Sequence, residues 1–238
     1  MAFYSGGMKN TLAWIFDVDG TLADTEKDGH LPAFNAAFES FGLNWQWSPE
    51  LYGELLAVTG GKERIAFYAE RYAPDILKHP DSASLFKALH EEKTKCYIQK
   101  VAEGAIPLRP GVLKMLETGR AAGIRLAIAT TTTPENVTAL LKASLPEGGI
   151  DWFEVVGAGD IVPNKKPAPD IYLWVLDQLG LEPAACLAIE DSENGLKSSL
   201  AAGLPTLITV NEYTRGQDFK GALRVVDTLD SINPQQFC

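Results

Sequence analysis

The chain has 238 residues, 46% of them hydrophobic, which is enough for one large domain or for a core with a smaller companion. The 21 basic and 31 acidic residues give a formal net charge of −10. Such a charge repels nucleic-acid phosphates and anionic lipid headgroups, so no partner of either kind is expected. An anionic small molecule is not excluded, because a site can be locally positive on an acidic protein.

The cysteine pattern and the apolar runs predict a cytoplasmic protein. The 3 cysteines are far apart and form no CxxC pair, which favours neither a disulfide framework nor a zinc site. The first ten residues lack the apolar run of a secretory signal. No stretch approaches the roughly 18 apolar residues of a membrane span, so no membrane association is expected.

The spacing of hydrophobic residues divides the chain into a stretch of predicted helices and a stretch in which strands and helices alternate. The apolar run from Leu12 to Phe16 predicts a buried strand that ends at a carboxylate-rich turn. From about Glu26 to Glu103 the period is helical, with a start signal at Ser48-Pro49. Because this helical stretch follows the carboxyl end of a strand, it is well placed to act as a lid.

Strands and helices alternate after residue 109. Helices are predicted from Val112, Pro134, Pro167 and Glu193, separated by the strands IRLAIAT, FEVVGAG, CLAIED and PTLITV. Such alternation indicates βαβ units and a parallel sheet covered on both faces. We therefore predict an α/β protein whose discontinuous core comprises residues 1–24 and 104–238, with an all-helical cap domain at residues 25–103.

The strongest candidate site is the segment DVDGTL, which directly follows the first strand. Residues i and i+2 of a strand lie on the same side, so Asp17 and Asp19 would project together at the carboxyl edge of the sheet, where ligands bind in open α/β folds. Two carboxylates that close repel each other unless a cation or a shared proton offsets the repulsion. By itself, the segment is also compatible with an ordinary turn.

Three further polar positions follow predicted core strands. Thr130 offers a hydroxyl near a helix start, although the sequence is equally compatible with a role as helix cap or strand residue. Lys166 precedes a helix start that is rich in proline. Glu190 and Asp191 close another strand, where adjacent acids would be costly without a cation. Hard oxygen ligands suit Mg²⁺, and the set as a whole indicates phosphoryl chemistry.

These four segments resemble, in order and spacing, the motifs of the haloacid dehalogenase-like superfamily. The resemblance covers nearly the whole core and implies a Rossmann-like parallel sheet with an inserted helical cap. It also implies catalytic roles: Asp17 as nucleophile, Asp19 as general acid/base, and Thr130 and Lys166 as the groups that hold and neutralise the phosphoryl group. Members that dehalogenate lack the second aspartate, so Asp19 argues against dehalogenation here.

The same resemblance implies a Mg²⁺ cofactor. Its ligands would be Asp17, the backbone carbonyl of Asp19, and Asp191, with Glu190 assisting directly or through water.

Segments in and beside the predicted cap resemble the CbbY group of this superfamily. They are Asp24 to His30, Leu51 to Leu56, Gly60 to Arg64, Leu108 to Val112, and Tyr213-Thr214. The resemblance implies a monomeric phosphatase that converts xylulose-1,5-bisphosphate, an inhibitory by-product of Rubisco, to xylulose-5-phosphate. The group also resembles β-phosphoglucomutase, so a sugar phosphomutase is the alternative, and a catalytically silent binding protein on the same fold is a third possibility.

A bisphosphate has a second phosphate that the core motifs do not hold. Lys62 and Arg64 follow a Gly-Gly pair at a predicted helix start, where cations and free amides attract anions, although either residue could belong to a solvated helix face. We expect these two residues and Asp24, His30 and Thr131 to bind substrate together with Lys166.

The remaining histidines and the tryptophans receive structural interpretations. We predict that His79 and His90 are surface residues. The pair Trp45 and Trp47 is predicted to pack in the core or cap.

Overall fold

The computed structural model describes residues 11–78, 80–104 and 106–238, and its centre is a six-stranded sheet in the order β3-β2-β1-β4-β5-β6. All five strand pairs are parallel, which confirms the predicted α/β class. The strands are β1 (Ala13–Phe16), β2 (Arg125–Ala129), β3 (Phe153–Gly157), β4 (Cys186–Glu190), β5 (Thr206–Thr209) and β6 (Arg224–Val226). The edge strand β6 was not predicted, because its three residues form no apolar run.

Strand register aligns the carboxyl ends of the three central strands. Phe16, the last residue of β1, pairs with Ile128 of β2 and with Ile189 of β4. The residues that follow these partners therefore emerge at one edge of the sheet. This edge is where the candidate residues of the sequence converge.

Helices cover both faces of the sheet because β1 is apolar on both sides. Trp14 and Phe16 point into a hydrophobic cluster on one face, and Ala13 and Ile15 point into a second cluster on the other. The covering helices are α5 (Val112–Ala121), α6 (Pro134–Ser144), α7 (Asp170–Leu179) and α8 (Glu193–Ala201).

Helix α7 begins at Asp170, three residues later than the expected start at Pro167. The prolines at 167 and 169 explain the difference. Neither has a backbone N–H to donate, and a residue that precedes proline disfavours the helical conformation, which applies to Ala168.

Between β1 and β2 the chain is helical, and we call residues 25–103 the cap segment. A π-helical turn (Glu26–His30) leads into the first of its helices. These helices are α1 (Leu31–Ser40), α2 (Pro49–Leu55), α3 (Gly61–Tyr72) and α4 (Ser82–Ala102). The hydroxyl of Ser48 accepts a hydrogen bond from the amide of Leu51 at 3.2 Å, which confirms the predicted helix start.

The cap segment has a hydrophobic cluster of its own. Trp47 is buried in it, with ring centroids 4.7 Å from Phe34 and 4.9 Å from Phe38, and Trp45 packs 5.3 Å from Phe38. The predicted packing role of both tryptophans is confirmed. The C-terminal end of α4 packs differently, since Tyr97 joins the core cluster that contains Trp14 and Phe16.

Across the described ranges, no helix is both long enough and apolar enough to cross a membrane.

Candidate active site

A cavity of about 270 Å³ lies between the carboxyl edge of the sheet and the cap segment. Most of the predicted site residues line this cavity, including residues from all four core motifs and from the cap segment. They are Asp17, Asp19, His30, Arg64, Thr130, Thr131, Lys166, Glu190 and Asp191. Asp24 and Lys62 are absent from its lining.

Lys166 is the electrostatic centre of the core side of the cavity. Its ammonium donates hydrogen bonds to Asp17 Oδ1 at 2.7 Å, to Glu190 Oε1 at 2.5 Å and to the carbonyl oxygen of Ala129 at 2.8 Å. Burial would lower the pKa of Lys166, but the two carboxylates hold it well above its usual range. The buried lysine is therefore a cation beside Asp17.

Glu190 is held by several contacts. The hydroxyl of Tyr172 donates to Glu190 Oε1 at 2.6 Å. The first turn of α8 also packs on this carboxylate, because a Cβ added to Gly195 would lie 2.0 Å from Glu190 Oε2. The side chain thus has one fixed position beneath Lys166.

Three buried carboxylates form a group that could hold a metal ion. Asp17, Glu190 and Asp191 each offer an oxygen within 4.8 Å of the others. Burial raises the pKa of Asp17 to about 7, opposed by Lys166 and reinforced by Glu190 and Asp19, and burial also raises the pKa of Asp191. A bound cation would relieve this repulsion, and the all-oxygen donor set fits Mg²⁺.

The same group is braced by its neighbours. Asn211 Nδ2 donates to Asp191 Oδ2 at 2.6 Å, and Gly20 leaves the space that Asp191 occupies. A Cβ on Gly20 would lie 2.3 Å from Asp191 Oδ2, and the φ of +80° is one that side chains disfavour.

The carboxylate of Asp19 is held by residues of the cap segment and is not one of the three clustered carboxylates. Its Oδ1 accepts a hydrogen bond from the Thr25 hydroxyl at 2.6 Å and lies 2.9 Å from His30 Nε2. On the other side of the ring, His30 Nδ1 lies 2.8 Å from Lys93 Nζ. An ammonium group only donates, so Nδ1 accepts from Lys93 and Nε2 carries the proton that is donated to Asp19.

These contacts set the charge state of Asp19. Burial alone would raise its pKa, but His30 and the Thr25 hydroxyl hold the pKa well below its usual range. Burial also lowers the pKa of Lys93 to about 8, against the attraction of Asp19 and Glu26. These contacts therefore keep Asp19 as a carboxylate.

Sequence reasoning missed Lys93, which is 4% exposed on α4. The signal that could have found it is the apolar stripe of that helix. Phe86, Leu89 and Tyr97 are buried at helical spacing, and Lys93 occupies a position in the same stripe. A lysine on such a face needs a polar cavity or a charged partner.

Of the threonines that follow β2, one caps a helix and others line the cavity. Thr133 caps α6, because its hydroxyl accepts a hydrogen bond from the amide of Asn136 at 3.4 Å. Thr130 is buried at the end of β2, accepts from the Thr132 amide at 3.3 Å and lines the cavity beside Thr131. The capping role that was the alternative for Thr130 belongs to Thr133.

Arg64 and Lys62, two predicted cations of the cap segment, lie in different places. Arg64 is buried, lines the cavity and donates to Tyr52 Oη at 2.9 Å and to the carbonyl oxygen of Leu55 at 3.2 Å. Lys62 is paired with Asp160 of the core at the protein surface. Of the two, Arg64 lines the cavity and Lys62 does not, so a substrate contact stays a prediction that the geometry favours for Arg64.

Two other predictions differ from what the structure contains. Asp24 is exposed and pairs with Arg109, whose Nε lies 3.1 Å from Asp24 Oδ1, so it lies at the junction of core and cap segment and outside the cavity. The prediction that His90 is a surface residue is wrong, because its ring lines the cavity from α4. His79 lies outside the described residues.

Comparison with known proteins agrees with this geometry. Residues 12–203 match the family model of the haloacid dehalogenase-like hydrolases. The chain is 51% identical to the protein CbbY of Rhodobacter capsulatus over 210 residues, 88% of this chain and 90% of the relative.

Two solved structures of CbbY from Rhodobacter sphaeroides are similar in fold and in sequence. The complex with phosphate has 43% identity and a TM-score of 0.84, covering 92% of this chain and 95% of that chain. A mutant in complex with xylulose-(1,5)-bisphosphate has 41% identity and a TM-score of 0.84, covering 93% of this chain and 96% of that chain. The chain therefore belongs to the haloacid dehalogenase-like hydrolase family.

Proposed function

We propose that this protein is a Mg²⁺-dependent sugar bisphosphate phosphatase that works through an aspartyl-phosphate, with xylulose-1,5-bisphosphate as its substrate. The observation that carries the proposal is the position of Asp17, a buried carboxylate held beside the Lys166 ammonium at 2.7 Å in a cavity shared by core and cap segment. The relative whose structure contains xylulose-(1,5)-bisphosphate supports the choice of substrate.

The core residues would bind the phosphoryl group that is transferred. Lys166 supplies a positive charge, and Thr130 and Thr131 supply hydroxyl groups at the carboxyl end of β2. Asp17, Glu190 and Asp191 would hold Mg²⁺, which when bound neutralises charge on the phosphoryl oxygens. Together Lys166 and Mg²⁺ would offset the charges of the three carboxylates, so that an anionic phosphoryl group could bind to a protein of net charge −10.

The two aspartates of the first motif would then divide the chemistry. Asp19 would enter the first half in its protonated form, once the anionic substrate is bound. A carboxylate oxygen of Asp17 attacks phosphorus, the bond from phosphorus to the sugar oxygen breaks, and Asp19 gives its proton to that oxygen. In the second half, water attacks the aspartyl-phosphate, Asp19 takes the proton from water, and phosphate leaves with Asp17 restored. His30 and Thr25 keep the Asp19 oxygen in place for both transfers.

The cap segment would bind the second phosphate of the substrate. Arg64 is already fixed by its contacts with Tyr52 and Leu55, so little rotamer freedom is lost when it binds an anion. This fixed guanidinium supports a bisphosphate over a small monophosphate.

A substrate panel tests the proposal. Purified protein is incubated with xylulose-1,5-bisphosphate, other sugar phosphates and p-nitrophenyl phosphate, with Mg²⁺ or with EDTA, and phosphate release is measured. We expect the bisphosphate to have the highest kcat/KM, EDTA to abolish turnover, and label from ¹⁸O-water to enter the released phosphate. An isomerised sugar phosphate without phosphate release would indicate a mutase, and activity indifferent to EDTA would refute the role of the metal.

A further inference from the structure

His90 lines the cavity from α4, one helical turn before Lys93. Its ring packs against the start of α3, where a Cβ added to Gly61 would lie 2.5 Å from His90 Nε2. Glycine at position 61 therefore makes room for the ring. Burial, with the nearby ammonium groups of Lys93 and Lys62, lowers the pKa of His90 to about 3, so the ring is neutral near pH 7.

The other polar side chains that the cap segment contributes to the cavity are Glu26, His30, Thr59, Arg64 and Lys93. Each of these five already makes a side-chain hydrogen bond within the protein. Within residues 11–78, 80–104 and 106–238, the ring of His90 makes none. The ring therefore has hydrogen-bonding capacity to offer to a molecule that enters the cavity.

We propose that His90 contacts the substrate and determines specificity, one of its ring nitrogens forming a hydrogen bond with a hydroxyl group on the sugar carbon chain. This inference rests on the proposed function, because it takes the substrate to be a sugar phosphate. A neutral imidazole has one donor and one acceptor nitrogen, and either can pair with a hydroxyl group, because a hydroxyl group both donates and accepts.

The charge distribution in the cavity favours a hydroxyl over a phosphate as the partner of His90. Both phosphate positions of a bisphosphate have cations available, Lys166 on the core side and Arg64 in the cap segment. Anionic oxygens gain more from these charged donors than from a neutral ring. The uncharged middle of the substrate is left for His90.

The test compares His90→Leu and His90→Gln with the wild type as full-length Mg²⁺-loaded enzymes. The kcat and KM are measured for xylulose-1,5-bisphosphate and for p-nitrophenyl phosphate, which has no hydroxyl-bearing chain. We expect kcat/KM for the sugar phosphate to fall about 10-fold more than kcat/KM for p-nitrophenyl phosphate in His90→Leu. His90→Gln should retain more of the preference, because its amide still donates and accepts.

Glu91→Gln is the matched control, since Glu91 is the next residue of α4 and its side chain is exposed. It should leave the ratio of the two kcat/KM values unchanged, and thermal denaturation of all three variants checks that they are folded. An equal loss on both substrates in His90→Leu and His90→Gln would overturn the inference, because a structural role affects both substrates alike.

Failure of the proposed function would be seen in the wild type alone. If the wild type prefers another sugar phosphate, the same ratio is measured with that compound and decides the role of His90. A wild type that hydrolyses only sugar-free phosphoesters would overturn the proposed function and the role of His90 with it.

Discussion

The imidazole of His30 joins the two parts of the molecule, because its Nε2 lies 2.9 Å from Asp19 Oδ1 of the first core motif. Lys93 approaches the opposite nitrogen of the same ring at 2.8 Å. The base of the proposed reaction is therefore oriented through His30 and Lys93, two side chains of the cap segment.

Removing this support should slow the chemical step. We expect His30→Ala and Lys93→Met each to lower kcat by about 100-fold, since a positioned acid/base contributes roughly 10²–10⁴-fold. The effect should fall on kcat more than on KM, because the contact acts on Asp19 and not on the bound substrate. Steady-state kinetics measure this, and Lys95→Met, an exposed lysine on the same helix, serves as control.

The nucleophile can be tested by a nearly isosteric change. Asp17→Asn keeps the size of the side chain but removes the attacking oxygen anion, so we expect kcat to fall by at least about 10⁴-fold. Acid quenching of the wild type with ³²P-labelled substrate should trap labelled protein, and the variant should trap none. Turnover by Asp17→Asn at the wild-type rate would mean that another group attacks phosphorus.

Metal binding should stabilise the protein in a pH-dependent way. The pKa of Asp17 is raised from 3.8 to about 7 by burial, so the folded protein binds more protons than the unfolded chain between these values. The contribution of this group to stability is therefore complete below about pH 4 and is lost as the pH rises through 7. Mg²⁺ would offset that loss, so it should raise Tm more at pH 8 than at pH 5.

Thermal denaturation with and without Mg²⁺ measures the effect. At a Mg²⁺ concentration about 100 times Kd, we expect a rise in Tm of roughly 5–10 °C at pH 8. Asp191→Asn should abolish most of the rise, whereas Asp160→Asn, a surface change away from the three carboxylates, should preserve it. A rise of equal size at both pH values would argue against linkage to Asp17.

The two cations near the start of α3 should differ in importance. We expect Arg64→Ala to raise KM for the bisphosphate by about 10- to 100-fold, because a buried, charge-assisted contact with the second phosphate is lost. Lys62→Ala should change KM less than about 3-fold, because Lys62 does not line the cavity and pairs with Asp160 at the surface. The opposite ranking would place the second phosphate at Lys62.

The core of this site could be predicted from the sequence because its signals are local. An apolar strand followed by a polar turn places that turn at the carboxyl edge of a parallel sheet, so Asp17, Glu190 and Lys166 could be brought together without coordinates. The edge strand β6 and the late start of α7 were missed, the first because three residues carry no periodicity and the second because prolines delay the helix.

The polar residues that the cap segment contributes to the cavity could not be predicted in the same way. Their identity depends on how separate helices pack against each other. Hydrophobic period identified the helices, but a helical lysine or histidine could face solvent or the cavity with the same local pattern. Thus Lys93 and His90 were missed, while Asp24 was assigned to substrate and instead pairs with Arg109.

From its sequence alone, this protein could be assigned an α/β core, an acidic cluster at one sheet edge and a helical insertion above it. The tertiary structure decided which charges face each other: Lys166 against Asp17, His30 against Asp19, and Lys62 turned outward to Asp160. The physical reason is the distance along the chain over which each kind of interaction acts. Strand and helix periods are set by neighbours along the chain, whereas these contacts depend on the packing of segments far apart in sequence.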